Sequence, residues 1–280
     1  MNISIIGAGQ MGAGIAQVLA QKNHSVILID QNSEVLKNAL AVVANSCDRL
    51  IKKEKISTKD KDKILSLITC VKDLNHAKDS DFVIEAVSEN TELKLKIFKE
   101  LDKICNPKTI LCSNTSSISI TKIAGQTNRP DKVMGMHFMN PVPVMKLVEG
   151  IKALQTSNET FLKVKNLAES LDKVFIESSK DMPGFIINRI LMPMINEAIY
   201  AFHEGVASVK DIDLGMKLGT NQPMGPLALA DFIGLDTCLS IMKVLNKEFG
   251  GNKYSPCPLL VKYVEAGWLG KKTGKGFYSY

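Results

Sequence analysis

ISIIGAGQMGAGIAQVLA, residues 3–20, decides how the chain is read. Ile3-Ser4-Ile5-Ile6 is a short apolar strand, Gly7-Ala8-Gly9-Gln10-Met11-Gly12 a glycine-spaced turn, and Gly14 leads into an apolar helix, Ile15–Ala20. A second strand, Ser25–Ile29, ends in Asp30. In this setting each glycine has a physical task. Gly7 permits the tight turn, Gly9 lets backbone approach a pyrophosphate, and Gly12 lets helix and strand pack closely. The helix N-terminus offers free N–H groups and the positive end of its dipole. The cradle Gly7, Gly9, Gln10, Met11 and Gly12 is therefore expected to hold a dinucleotide; a glycine-rich turn without a ligand does not account for three glycines at these spacings. Asp30 would hydrogen-bond a ribose diol and repel a 2′-phosphate, and no arginine follows it in Gln31-Asn32-Ser33, so the cofactor is expected to be NAD(H) rather than NADP(H).

Working outward, the pattern stays that of an α/β protein. Ser33–Lys55 reads as a long helix whose last turns are basic; a solvated charged face is the ordinary reading and a phosphate contact the minority one. Ser57 caps a helix over 58–67. Asp81–Val87 is a strand apolar on both faces, as in a parallel sheet. Ser88-Glu89-Asn90 stands at its carboxyl end, where ligands gather in open α/β sheets. A helix through Lys94 to Ile104 and a strand, Thr109–Cys112, lead to Ser113-Asn114-Thr115-Ser116-Ser117. Five small polar residues there are either a turn with a helix cap or a ligand-facing loop, and the position favours the loop.

VMGMHFMNPVPVMKLVE, residues 133–149, consists of two apolar runs, 133–138 and 144–148, split by Asn140-Pro141-Val142-Pro143. Two prolines so close cannot lie in a central strand, so strand, break, strand is expected. His137 then sits at the end of the first strand and Glu149 at the end of the second, and the reversal can bring them together. A carboxylate beside an imidazole fixes its tautomer and favours its charged form, which is the equipment of a general base. The plainer alternative is a core histidine bonded to backbone with Glu149 at the surface. A helix over 158–171 and a strand over 174–176 complete a doubly wound first domain, residues 1–182.

From Pro183 to Tyr280 no strong strand signal appears before the tail, and a helical domain is expected. Helices fall at 185–203, with Pro193 a possible kink, at 209–218, near 227–249 and at 258–266. Asn188, among Ile186, Ile187 and Ile190, is either a satisfied core amide or one pointed into a cleft. Gly270-Lys271-Lys272-Thr273-Gly274-Lys275-Gly276 lacks the spacing and preceding strand of a phosphate loop. The apolar surplus of this half suggests a homodimer interface.

With 45% hydrophobic and 23% charged residues over 280 positions, the chain can bury a sizeable core in one or two domains. A net charge of +6, interspersed, argues against nucleic acid and suits an anionic small molecule. The six cysteines form no CxxC pair and no cluster with the four histidines, so reduced thiols and no metal site are expected. No apolar run is long enough for a membrane span. The chain opens directly into a strand, so no signal or transit peptide is expected and the cytoplasm is the expected location.

The blocks GAGQMG, Glu89-Asn90 with Lys94, SNTSS at 113–117, HFMNPVPVMKLVE at 137–149, PGFIINR at 183–189 and GKKTGKGFY at 270–278 occur in order along the whole chain. Together they resemble the 3-hydroxyacyl-CoA dehydrogenase family, and within it the single-function 3-hydroxybutyryl-CoA enzymes. The resemblance implies an NAD-binding Rossmann-type domain, a helical domain that forms a homodimer, and an acyl-CoA substrate bound in the cleft between the domains. It further implies that His137 is the general base with Glu149 its partner, and that Ser116 and Asn188 orient the substrate oxygens. Asp30, Glu89, Lys94, Ser116, Asn140 and Lys272 would contact NAD, while Ser46 and Lys53 would contact coenzyme A, which raises the minority reading of the basic helix. Oxidising a 3-hydroxyl requires a base for the O–H proton and a nicotinamide for the hydride, so the chemistry fits without metal. Two other readings remain: a 3-hydroxy acid dehydrogenase that does not use coenzyme A, whose relatives typically employ a lysine as acid/base, and a dinucleotide-binding regulatory protein with little turnover.

Overall fold

β1 (Asn2–Ile6) lies inside an eight-stranded sheet and is buried from Ile3 onward. After it come α1 (Gln10–Gln21), β2 (Ser25–Ile29), α2 (Ser33–Ile51), α3 (Thr58–Ser66), β3 (Ile68–Val71), β4 (Phe82–Glu85), α4 (Thr91–Ile104), β5 (Ile110–Ser113), α5 (Ile120–Ala124), β6 (Val133–Phe138), β7 (Leu147–Lys152), α6 (Asn158–Ser170) and β8 (Val174–Ser178). These elements belong to a computed structural model that describes residues 1–280 and divides into two units, Met1–Met182 and Pro183–Tyr280. The sheet order is β3-β2-β1-β4-β5-β6-β7-β8. Its first six strands are parallel in the doubly wound order, β7 turns back antiparallel to β6, and β8 runs parallel to β7. The core is built by Ile3, Ile5, Ile15, Leu19, Val26, Leu28, Ile84 and Met136, all removed from water. At roughly 25 cal/mol per Å² of apolar area, this burial is the main force holding helices onto the sheet.

Several boundaries differ from the sequence expectation. α2 stops at Ile51 rather than Lys55. Lys55 N donates back to Leu50 O and Glu54 takes φ 55°, so the chain leaves the helix in a turn. Next comes α3, held by a reciprocal Ser57/Asp60 capping box. β3 was not expected: its four residues continue the apolar run of α3, and only Ile68 is fully buried. β7 begins at Leu147, because residues 141–146 are taken up by the turn, where Val144 N and Met145 N both donate to Pro141 O. Glu149 is therefore an interior residue of its strand and not its end.

The second unit is helical: α7 (Ile187–His203, running through Pro193), α8 (Val209–Gly219), α9 (Pro226–Ile233), α10 (Leu235–Phe249) and α11 (Pro258–Glu265). The expected helix over 227–249 is two helices, broken at Gly234, whose φ of 102° suits glycine. Met192, Ile195, Ile199, Leu227, Leu235, Met242 and Leu260 form its core. Asp231 accepts from Phe277 N (3.0 Å) and Tyr278 N (2.9 Å), pinning the tail. A Cβ on Gly276 would overlap the Asp231 carboxylate, so the glycine-rich tail has a packing reason.

Candidate active site

The glycine turn is shaped by backbone. Gly7 takes φ 101° and donates to Ile29 O at 2.8 Å, which closes the loop over β2. Gly12 abuts the Gly7 carbonyl so tightly that any Cβ would collide with it. Gly9 precedes α1 without a side-chain cap, and nothing lies within 4 Å of where its Cβ would project. Asp30 is locked beside the turn: Ala8 N and Asn32 N donate to its two oxygens, each at 2.9 Å. A cavity of about 570 Å³ opens here, lined by Gly7, Gly9, Asp30, Leu74, Val87 and Ile97 among others. Open backbone at Gly9, an apolar wall and a fixed carboxylate fit the pyrophosphate, adenine and ribose of NAD.

A buried charge cluster stands at the carboxyl end of β4. Glu85, 0% exposed, accepts from Val87 N (2.7 Å), Ser113 Oγ (2.6 Å) and Lys94 Nζ (2.6 Å). Burial raises its carboxyl, and the Lys94 ammonium works the other way. One Glu89 oxygen accepts from Thr115 Oγ1 (2.6 Å), Ser116 N (3.0 Å), Ser117 N (3.0 Å) and Ser117 Oγ (2.8 Å), with Ser116 Oγ at 3.2 Å. Burial opposes the Glu89 charge, yet Lys94, 3.4 Å from its other oxygen, and the loop donors hold its carboxyl below the usual range. Lys94 is only 1% exposed and is spent on these partners and Val87 O. The 113–117 loop is thereby fixed to β4, and Asn114 ties it onward by accepting from Phe138 N at 2.8 Å.

His137 and Glu149 are direct cross-strand partners in β6 and β7. Their side chains share one face of the sheet, and His137 Nδ1 lies 2.9 Å from Glu149 Oε2, with Glu149 wholly buried. Beyond them the turn brings Asn140 to the cradle, where Gln10 Nε2 donates to Asn140 Oδ1 at 3.1 Å. Ser46 is half-buried near the end of α2, and Lys53 is exposed on the turn after it. In the second unit, Asn188 is buried in the first turn of α7, and Lys272 pairs with Asp236 at 2.5 Å. Glu85 was missed in the sequence, although one acid closing an otherwise apolar strand was a usable signal.

A sheet of this order with a glycine cradle and a fixed acid after β2 defines an NAD-binding fold. Residues 2–182 match the 3-hydroxyacyl-CoA dehydrogenase NAD-binding domain and residues 184–280 the C-terminal domain of the same family. The chain belongs to the 3-hydroxyacyl-CoA dehydrogenase family and is an NAD-dependent oxidoreductase. It is 55% identical over 278 residues to a probable 3-hydroxybutyryl-CoA dehydrogenase of Bacillus subtilis, covering 99% of this chain and 96% of that one. Against the human mitochondrial hydroxyacyl-coenzyme A dehydrogenase the identity is 44%, covering 100% of this chain and 91% of that one. The crystal structure of a (S)-3-hydroxybutyryl-CoA dehydrogenase from Ralstonia eutropha superposes with a TM-score of 0.95 at 51% identity, covering 100% of this chain and 98% of that one.

Proposed function

We propose that the protein interconverts (S)-3-hydroxyacyl-CoA and 3-oxoacyl-CoA, with short chains such as 3-hydroxybutyryl-CoA as substrates, and that His137 is the general acid/base partnered by Glu149. The observation that carries this reading is the 2.9 Å pair of His137 Nδ1 and Glu149 on registered strands within an NAD-binding domain. When bound, NAD⁺ takes the hydride from C3 of the substrate. Glu149 accepts from Nδ1–H and so directs Nε2 to the substrate, where it takes the hydroxyl proton; in reduction the imidazolium returns that proton to the carbonyl oxygen. Ser116, on the loop held by Glu89, and Asn188 orient the substrate oxygen. Asp30 takes the ribose diol, Asn140, Glu89 and Lys272 face the cofactor, and Lys94 serves it by holding Glu89. Ser46 and Lys53 meet the coenzyme A handle. Six unpaired cysteines suit a reducing compartment such as the cytoplasm, and exposed Ile190, Val206, Leu214 and Leu218 support a homodimer through the helical unit.

The test is NADH oxidation with acetoacetyl-CoA beside free acetoacetate. Turnover of the thioester alone is expected. Equal or better turnover of the free acid would reject the acyl-CoA reading, and no turnover of either would favour a regulatory role.

A further inference from the structure

Lys173 stands between α6 and β8, directly after Asp172, whose φ of 56° turns the chain. A lysine at such a corner ordinarily reaches into water, yet this one is 8% exposed. Its ammonium donates to Val142 O and to Met145 O, both at 2.7 Å. Both acceptors are neutral carbonyls, and no carboxylate lies within ion-pair distance of Lys173. Burial lowers its pKa, against the pull of Asp172. A charge kept out of water on carbonyls alone needs a structural return, because desolvating an ammonium is costly.

That return lies in what the carbonyls belong to. Residues 141–146 form the turn joining the His137 strand to the Glu149 strand; the prolines at 141 and 143 remove two of its N–H donors, and its own bracing is limited to Val144 N and Met145 N, which both donate to Pro141 O. It is fastened on two sides. On one, Val142 is buried against α1, so close that a Cβ on Gly14 would stand 2.9 Å from Val142 Cβ, while Gln10 grips Asn140. On the other, Lys173 holds two of its carbonyls, and Val174 N donates to Lys146 O at 2.6 Å. The helix that opens on the cofactor cradle, the turn bearing Asn140 and Lys173 thus form one packed series.

We propose that Lys173 is a positioning residue for the dehydrogenase reaction: through the carbonyls of Val142 and Met145 it fixes the turn that presents Asn140 to the cofactor beside Gln10. This rests on the reading of Asn140 as a cofactor contact. Lys173→Met keeps the aliphatic stem and removes the donors, so the turn loses its outer fastening while the sheet keeps its packing.

The experiment is steady-state kinetics on the full chain for Lys173→Met, Asn140→Ala, the double variant and Lys173→Arg, with melting temperature recorded for each. Lys173→Met is expected to raise KM for NADH about tenfold and to move KM for acetoacetyl-CoA less than about twofold, a split that general loosening would not give. Asn140→Ala should raise KM for NADH similarly, the double variant should be no worse than about twofold beyond it, and Lys173→Arg, which can donate to both carbonyls, should restore most of the affinity. If Asn140→Ala raises KM for NADH and Lys173→Met leaves it within about twofold of the parent, the proposal is overturned and the reading of Asn140 survives. If Asn140→Ala has no effect while Lys173→Met raises KM, the role given to Asn140 falls and the control of the turn by Lys173 stands. Multiplying effects in the double variant would overturn the shared route. Should Lys173→Met not fold, Lys173→Gln takes its place with an expected rise of about threefold, and an unchanged KM rejects the proposal.

Discussion

Two buried clusters of charge lie on neighbouring parts of one sheet and differ in kind. At the end of β4, Glu85, Lys94 and Glu89 form a set in which one ammonium faces two carboxylates, and the donors of the 113–117 loop crowd onto one Glu89 oxygen. Between β6 and β7, Glu149 faces an imidazole, the one side chain whose unperturbed charge changes near neutral pH. The first arrangement holds a loop; the second can move a proton. Burial of ionisable groups is thus not by itself a sign of catalysis, and what separates the two cases is that only the second holds a side-chain type whose ordinary change of charge falls near neutral pH.

The contrast can be broken by neutralising one member of each. Glu149→Gln keeps the shape but removes the charge and lets an amide present N–H₂ to the ring, so kcat should fall by roughly 10²–10⁴. Its melting temperature should move by no more than about 4 °C, close to 1 kcal/mol for a domain of this size. Lys94→Met should do the reverse in kind. It leaves Glu85 buried without a cation, a cost of about 3–5 kcal/mol that thermal or urea unfolding would read, while Glu89 stands partly in water. Adding Glu85→Gln should recover much of that loss. A Lys94→Met variant as stable as the parent would show that the cluster is not the fixed element described.

Smaller effects sharpen the same distinction at the cofactor and at the handle. Asp30 is held by Ala8 N and Asn32 N, so its charge has a fixed place. NADH should be preferred over NADPH by at least about tenfold in kcat/KM, about 1.4 kcal/mol, and Asp30→Asn should narrow the gap; equal rates in the parent would contradict the role of Asp30. Lys53, exposed on a turn, should act as a screened point charge. Lys53→Ala should raise KM for acetoacetyl-CoA a few-fold with kcat unchanged, less so as salt rises, and an unmoved KM would return it to the solvated face.

What the sequence made legible followed from local necessity. Three glycines so spaced between strand and helix fit a phosphate cradle and little else, and two prolines between apolar runs force the chain to break, which placed His137 and Glu149 on adjoining strands. What it hid depends on distant partners. Lys173 gives no signal in the sequence, because its acceptors lie 31 and 28 residues earlier in the chain. The enclosure of Lys94 by Glu85 and Glu89 is equally hidden, because nothing local announces it. β3 was lost because Leu65, Leu67 and Ile68 keep the apolar pattern of the preceding helix, and only pairing with β2 makes them a strand. The break between α9 and α10 falls at Gly234, where Leu235 N turns out to Leu269 O, set within a run that otherwise continues as helix.

The central claim is that His137 and Glu149 work as one unit, and a double-mutant cycle on kcat tests it most directly. His137→Ala should cost at least as much as Glu149→Gln, and the double variant should be little worse than His137→Ala alone if the carboxylate acts on the reaction through the ring. NADH affinity should hardly change in any of the three. Multiplying losses would show two independent roles, and near-parental turnover in His137→Ala would place the acid/base chemistry elsewhere and contradict the account.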